Sequence, residues 1–459
     1  MPQFYENVQK AMGVKIAESS KMSAAILLWD QMYRDEAPWL NSEVKSLSLS
    51  AGICSEMATA VTTEARAAID QHSRMHDILS GSFNRVVFDL QDIVELICAG
   101  GSVVLKPYIS GNTVCVDYVR SGNVFPVRFN SARRLTAAIF PEFIQKGKTL
   151  YPRLEYHDYN DGNGTYRIVN RAFKSERAAV QTNNVSNLGE EISLTSVSEW
   201  EDLEPDVILS GATMPLFVYL PSPIANNIDP DSPIGVSLYS RAKNQIMDAD
   251  ERWGSTLWEY KSKETAIQAA REFYKININT GEPILPRGKE RMYTVLGDAT
   301  DGKGAPFFNV YSPEIRDASF FNAFNKTLQR IEFNCRLSYG TLSDPQSVDK
   351  TATEIKASKQ RMYSTVKRFQ ENILRPGLQH LADAMAVIAD LSELGHYDYV
   401  PVISDFDDSV VVDKTEERMA DRADVAAGIM QPWEYRMKYY RDTEERAKQM
   451  VNTDQGIIL

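Results

Sequence analysis

The stretch GVSLYSRAKNQIMDADERWGSTLWEYKSKETAIQAA, Gly235 to Ala270, decides the fold. Tyr239, Ile246, Trp253, Tyr260 and Ile267 recur every seven residues, with Ala242, Ala249 and Leu257 between them. That period predicts one long helix carrying a continuous apolar stripe, and Pro230-Asp231-Ser232-Pro233 upstream suits its start. At 1.5 Å per residue the rod is roughly 50 Å long. A compact globule seldom needs such a rod, whereas a helix packing on a partner helix or on a copy of itself does.

A partner lies downstream. Ser312-Pro313-Glu314 combines a capping hydroxyl, a proline for the first helical position and an acid for the helix dipole. Phe320, Phe324, Leu328, Ile331 and Cys335 then form a second stripe, which stops before Gly340, the expected C-cap. Between the rods, Arg271 to Tyr311 becomes strand-like in YKININT, RMYTVLG and PFFNVY, broken by Gly281-Glu282-Pro283 and Pro286-Arg287-Gly288. The reading is a helical hairpin with a small β-rich knob at its tip.

Working outward, Ser42 to Ile69 and Asp89 to Cys98 read as helices, the latter stopping at Gly100-Gly101. From there SVVLKPYI, TVCVDYV, LTAAIFPEFIQ, TLYPRLEYHDY and TYRIVNRAF switch to a period of two and predict an antiparallel sheet of hairpins. Lys174 to Pro205, rich in Ser, Asn, Glu and Thr, reads as an exposed excursion of that sheet.

After the second rod, Leu342 to Gln346 reads as a loop, and Thr351-Ala352-Thr353-Glu354 has capping-box spacing. The stretch SVDKTATEIKASKQRMYSTVKRFQENI, Ser347 to Ile373, carries six Lys and Arg residues and buries one face through Ile355, Met362, Val366, Phe369 and Ile373. Its cations fit either a solvated polar face or a nucleic-acid surface. Arg375-Pro376-Gly377 is expected to kink or end the helix before Leu378, Leu381, Met385 and Ile388 resume the stripe. The tail adds a strand, YDYVPVISDFDDSVVVD, and two helical stretches divided around Gly428 and Pro432.

Composition bounds the function. With 459 residues, 43% hydrophobic, the chain is long enough for two to four structural units. A net charge of −12 repels nucleic acid at long range, so any DNA contact must be a local patch or a channel that does not adhere. Cys54, Cys98, Cys115 and Cys335 lack metal or disulfide spacing. No run reaches the ~18 apolar residues of a bilayer span, so a soluble protein made in the cytoplasm is expected.

Three stretches resemble catalytic motifs and fail. GDATDGKG, Gly297 to Gly304, matches a phosphate-binding loop until Gly304 replaces the hydroxyl residue and Ala305-Pro306 replaces the helix start. His72 and His76 have a helical metal-pair spacing, but Ser73 stands where a metalloprotease has its Glu. Asp405-Phe406-Asp407-Asp408 suits an acidic loop better than a cation site. No catalytic, metal or cofactor residue is expected.

The order of parts resembles the portal proteins of tailed double-stranded-DNA bacteriophages of the long-tailed type. The residues that carry the resemblance are Lys350-Thr351-Ala352-Thr353-Glu354-Ile355 with the helix and Arg-Pro break behind it, and Asp407-Asp408-Ser409 leading to Ala427-Gly428-Ile429-Met430. Gly100-Gly101 before the hairpin strands also fits, and the similarity spans Ser42 to Met450.

The resemblance implies an α+β portal fold: a wing over 1–230, stem helices over 231–270 and 312–340, and a small α/β clip over 271–311. A tunnel loop and following helix would occupy 341–375, and the wing return with a helical crown 376–459. It implies a ring, dodecameric in the virion, at one capsid vertex, assembled in the host cytoplasm and conducting double-stranded DNA. Its partners would be the terminase large subunit, a head-completion or adaptor protein, and the scaffolding and major capsid proteins. Asp344, Gln346, Ser347, Lys350, Lys356, Lys359 and Arg361 would face the channel, and Arg287, Lys289, Arg291 and Lys303 the docking partners. Tyr239, Ile246, Trp253, Tyr260, Phe320, Phe324 and Ile331 would pack the stem between subunits. The basic helix would then either touch passing DNA or pair with acids of the adjacent subunit. Two alternatives stand beside this reading: a head–tail adaptor or other minor capsid ring, and a metal-dependent nucleic-acid enzyme built on Asp405 to Asp408.

Overall fold

The computed structural model describes residues 2–175, 188–262, 266–286, 290–300, 303–312, 314, 317–344, 352–406, 415–440 and 443–453. Helices Pro2–Met12, Ser20–Tyr33, Leu49–Thr62, His76–Phe88 and Leu90–Gly100 precede the sheets. The expected helix over Ser42 to Ile69 is shorter than its pattern. Ala65–Ile69 is a strand, antiparallel to Val402–Phe406, so a partner far along the chain overrides the helical preference of an Ala-rich segment.

The five expected strands are present but divide between two sheets. Ser102–Ser110 lies between Thr113–Arg120 and Val218–Pro221. Phe125–Phe129, Leu135–Lys146, Thr149–Asn160, Thr165–Lys174 and Glu190–Ile192 form a second, antiparallel sheet in that order, and Asp206–Ser210 also pairs with Thr165–Lys174. The segment read as an exposed excursion folds back in part, since Leu194, Val197 and Trp200 are buried with Ala172. The main core joins the early helices, the three-stranded sheet and helix Arg375–Leu391, while Pro2–Met12 covers a separate core on the larger sheet.

The rods are shorter than their stripes. The first hairpin helix is Lys243–Ser262, not the whole of 231–270. Before it, the backbone is used elsewhere: Leu238 N donates to Cys98 O at 2.8 Å, and Tyr239 Oη donates to Trp29 O at 2.7 Å. Gly101, at φ +89°, fits because a Cβ there would stand 2.6 Å from Gly235 O. After the helix, Ala266–Ala269 is the central strand of the knob, parallel to Tyr293–Val295 and antiparallel to Phe308–Tyr311. YKININT is not a strand, keeping only an isolated bridge from Ile276 to Pro283. The knob is a three-stranded sheet with short 3₁₀ turns, and no α-helix occurs among its described residues.

The second hairpin helix is Asp317–Asn334. Gly340 is not its cap. Arg336 takes the left-handed conformation, φ +59°, with Leu337 N donating to Glu332 O at 3.0 Å and Arg336 N to Phe333 O at 3.4 Å, a Schellman closure four residues early. Residue 313, the expected first-turn proline, lies outside the described residues. The basic helix, Ala352–Arg368, is not ended by the Arg-Pro pair. It runs through a π-helical turn, Phe369–Leu374, where Arg375 N donates to Gln370 O, into Arg375–Leu391, and the wider turn leaves room for the ring of Pro376, which has no N–H to donate. Helices Thr415–Ala426, Pro432–Tyr440 and Glu444–Thr453 close the chain.

Candidate functional site

The hairpin helices meet along Ile246, Ala249, Leu328 and Ile331, all buried, and stack Trp253 on Phe324 with ring centroids 5.9 Å apart. Asn334 Nδ2 donates to Arg241 O and Gln245 Oε1, each at 3.3 Å, and fixes the antiparallel register. Asp250 is buried on the flank, accepting from Trp39 Nε1 and Leu47 N at 2.9 Å each. Burial pushes its carboxyl up, and those two donors pull it back.

Of the seven expected packing residues, Ile246, Trp253, Phe324 and Ile331 join in this contact. Tyr239 is buried in the main core outside the helix, Tyr260 is exposed, and Phe320 is half-buried.

The leg that leaves the second helix is pinned by two side chains that the sequence pattern did not single out. Glu332, 2% exposed, accepts from Leu342 N at 2.7 Å, Ser343 N at 2.8 Å and Ser343 Oγ at 2.9 Å. Asn325 accepts from Asp344 N at 2.9 Å and donates to Asp344 O at 3.3 Å. The only available signal was Glu332's position beside Ile331 on an apolar stripe, where a carboxyl group needs partners. Asp344 is exposed at the end of this leg. Gln346, Ser347 and Lys350 lie outside the described residues, as does the side chain of Lys356.

The basic helix buries Met362, Val366 and Phe369 as its pattern predicts. Lys359 and Arg368 are exposed. Arg361 lies over the Phe333 ring at 4.7 Å, and Arg330 over the same ring at 5.3 Å. Arg336 stands near Arg241, Arg368 and Arg361; burial, then those three like charges, hold its guanidinium below the usual range. Among the described residues no carboxylate forms an ion pair with any of these four arginines.

On the knob, Arg287 and Lys289 and the side chain of Arg291 lie outside the described residues, and Lys303 is exposed. The described knob surface mixes charge, Arg271, Glu272, Lys275 and Glu282 being exposed, with large apolar side chains: Phe273, Ile276, Ile284, Phe308, Val310 and Tyr311 are exposed, and Ile278 is 98% exposed.

The catalytic look-alikes do not assemble. A strand, not a helix, follows Gly304, with Thr300 bridged to Pro306. His72 sits in a turn before the helix that starts at His76, so the pair does not share a helix face. Asp405 is on a strand opposite Arg66, and Asp407 and Asp408 lie outside the described residues. Among the described residues no group of three metal-capable side chains occurs, and no helix is long and apolar enough to cross a membrane.

The fold is a helix-and-sheet body from which a helical hairpin carries a β knob. A family model described as phage portal protein, SPP1 Gp6-like, matches residues 76–454, and the chain belongs to that family. That family is one of structural proteins. No curated protein matches the sequence. Among solved structures the chain is similar to one from the virion of a native gene transfer agent particle: TM-score 0.43, 10% identity, covering 94% of this chain and 96% of that one. It is also similar to a chain in the neck of the native particle computed with C12 symmetry, at TM-score 0.41 and 10% identity, and to one in the neck of the empty particle computed with C6 symmetry, at 0.40 and 12%. Both again cover 94% of this chain and 96% of the other.

Proposed function

We propose that this portal protein assembles into a closed ring at a capsid vertex, through which double-stranded DNA enters during packaging and leaves at ejection. The observation that carries the reading is the hairpin itself: two packed helices bearing a knob that exposes large apolar side chains and buries few, a shape that gains by repetition around an axis. The hairpin is the stem, and the knob is the clip, where the terminase large subunit and later a head-completion or adaptor protein dock. The sheet body is the wing, which contacts scaffolding and major capsid proteins, and the C-terminal helices belong to the crown. Asp344, Lys359 and Arg361 are the described candidates for the channel side. Gln346, Ser347, Lys350 and Lys356 complete that set, and Arg287, Lys289, Arg291 and Lys303 are the clip's polar contacts.

DNA slides through such a channel when its walls are acidic overall and cations are confined to one level, since each neutralised phosphate adds to salt-sensitive retention. The test is native mass spectrometry of the purified protein with end-on negative-stain imaging. A closed ring of 51.7 kDa chains around a hole is expected, its chain number read from its mass. A species that stays monomeric when supplied with scaffolding protein overturns the reading.

A further inference from the structure

The two outer faces of the hairpin carry opposite charge at matching height. On the first helix Glu251 is two residues from Trp253, roughly 200° around at about 100° per residue, so it points away from the second helix. Asp248 lies three residues before it, on the same face. On the second helix Lys326 is likewise two residues from Phe324 and turned outward. Arg330 stands over the ring of Phe333, which is itself exposed.

Trp253 faces Phe324 and Gln245 faces Asn334, and these contacts set the levels. Two residues from the stacked rings, about 3 Å along the axis, lie both Glu251 and Lys326. Five and six residues from them, about 7.5 and 9 Å in the same direction, lie Asp248 and Arg330. None of the four forms an ion pair within the chain among the described residues. Arg252, exposed and one turn after Asp248, borders the acidic face about 40° from it, and among the described residues it forms no ion pair with Asp248.

Rotation about a ring axis preserves height. For hairpins aligned with that axis, the acidic face of one copy therefore meets the basic face of the next at the same level, a head-to-tail contact that closes. We propose that Asp248 and Glu251 of each copy pair with Arg330 and Lys326 of its neighbour, and that this match sets the stem contact. The inference rests on the ring reading above and names the surface through which the ring closes. Charge complementarity of this kind fixes register and rejects wrong pairings. DNA is the weaker candidate for the basic face, because paired cations repeated on every copy would hold phosphates and resist sliding.

The test uses two full-length variants, Asp248→Lys with Glu251→Lys, and Lys326→Glu with Arg330→Glu. Glu251, Lys326 and Arg330 are exposed and Asp248 is half-buried, so circular dichroism should match wild type and melting should shift by no more than the loss of the Arg330–Phe333 contact. Each variant alone should lose assembled ring by about tenfold or more by native mass spectrometry, because like charges then face each other. An equimolar mixture should recover rings with the two variants in equal number. If wild type forms no ring, the ring reading falls and the proposal with it. If wild type closes and both variants close equally well, the proposal alone is wrong. A ring that survives Lys326→Glu with Arg330→Glu but loses salt-sensitive retention of DNA assigns that face to DNA and also overturns it.

Discussion

Glu18 shows how one buried carboxyl group makes stability depend on pH. Tyr5 Oη donates to Glu18 Oε1 at 2.8 Å, tying helix Pro2–Met12 to the chain beyond it. Burial raises the Glu18 pKa from 4.5 to about 7, against the opposing pull of Ser23 and Tyr5. A carboxyl raised in the folded state stabilises fully below its unfolded value and loses that contribution as pH climbs through the folded one. The loss therefore falls between about pH 4.5 and 7 and amounts to about 3 kcal/mol at most. The melting temperature of wild type minus that of Glu18→Gln should fall across this window; a flat difference contradicts the assignment. Glu332 acts through hydrogen bonds instead. Glu332→Ala leaves Leu342 N, Ser343 N and Ser343 Oγ without an acceptor and should cost about 3 kcal/mol. Hydrogen exchange at Leu342 and Ser343 should accelerate, while Glu332→Gln, which keeps one acceptor, should lose less. Glu18 left no signal in the sequence and Glu332 only its place beside Ile331, because the donors that make them matter come from segments that only folding brings near.

At the scale of elements, the hairpin was legible because its heptad spacing is local, and Trp253 and Phe324 meet as that spacing requires. Its ends were not. Tyr239 continues the period, yet its hydroxyl is held by Trp29 O and the backbone before it by Cys98 O, contacts with no trace in the stripe. Ala65–Ile69 was misread for the same reason, since five residues rich in Ala become a strand only when Val402–Phe406 lies alongside. Strands such as Thr149–Asn160 were legible because both pairing partners are adjacent hairpin neighbours. The hairpin interface predicts a contrast between two tryptophans on one helix. Trp253→Ala removes the stacked ring and should cost about 2 to 3 kcal/mol in denaturant unfolding. Trp258→Ala, at a residue 69% exposed, should stay within about 0.5 kcal/mol. Equal losses would mean that the helices are not held together through the Trp253 side.

At the scale of the whole molecule, apolar burial is uneven. Body helices and sheets share large cores, whereas Ala269 and Ala270 are the buried apolar residues among the described part of 266–311. Beyond these two alanines the described part of the knob has only half-buried side chains and the ring pairs Phe273–Phe308 and Tyr274–Tyr293, a small return against the conformational entropy of ordering some forty residues, so its order is expected to gain from contacts with neighbouring copies. Its exposed Phe273, Phe308, Val310 and Ile278 are available to make them. Amide hydrogen exchange separates this from a self-sufficient knob. In monomer, Gln268, Thr294 and Val310 should exchange close to the rate of an unprotected chain, while Val94, Leu381 and Met385 in the main core exchange orders of magnitude more slowly. In the assembled ring the knob amides should gain at least about a hundredfold protection, with the core amides unchanged. Strong protection of the knob in monomer would show that it folds by itself, and the apolar surface would then be reserved for the docking partners rather than for neighbouring copies. Protection that appears only on assembly makes ring closure and knob folding one event, so that the proposed docking surface would exist only where the ring does.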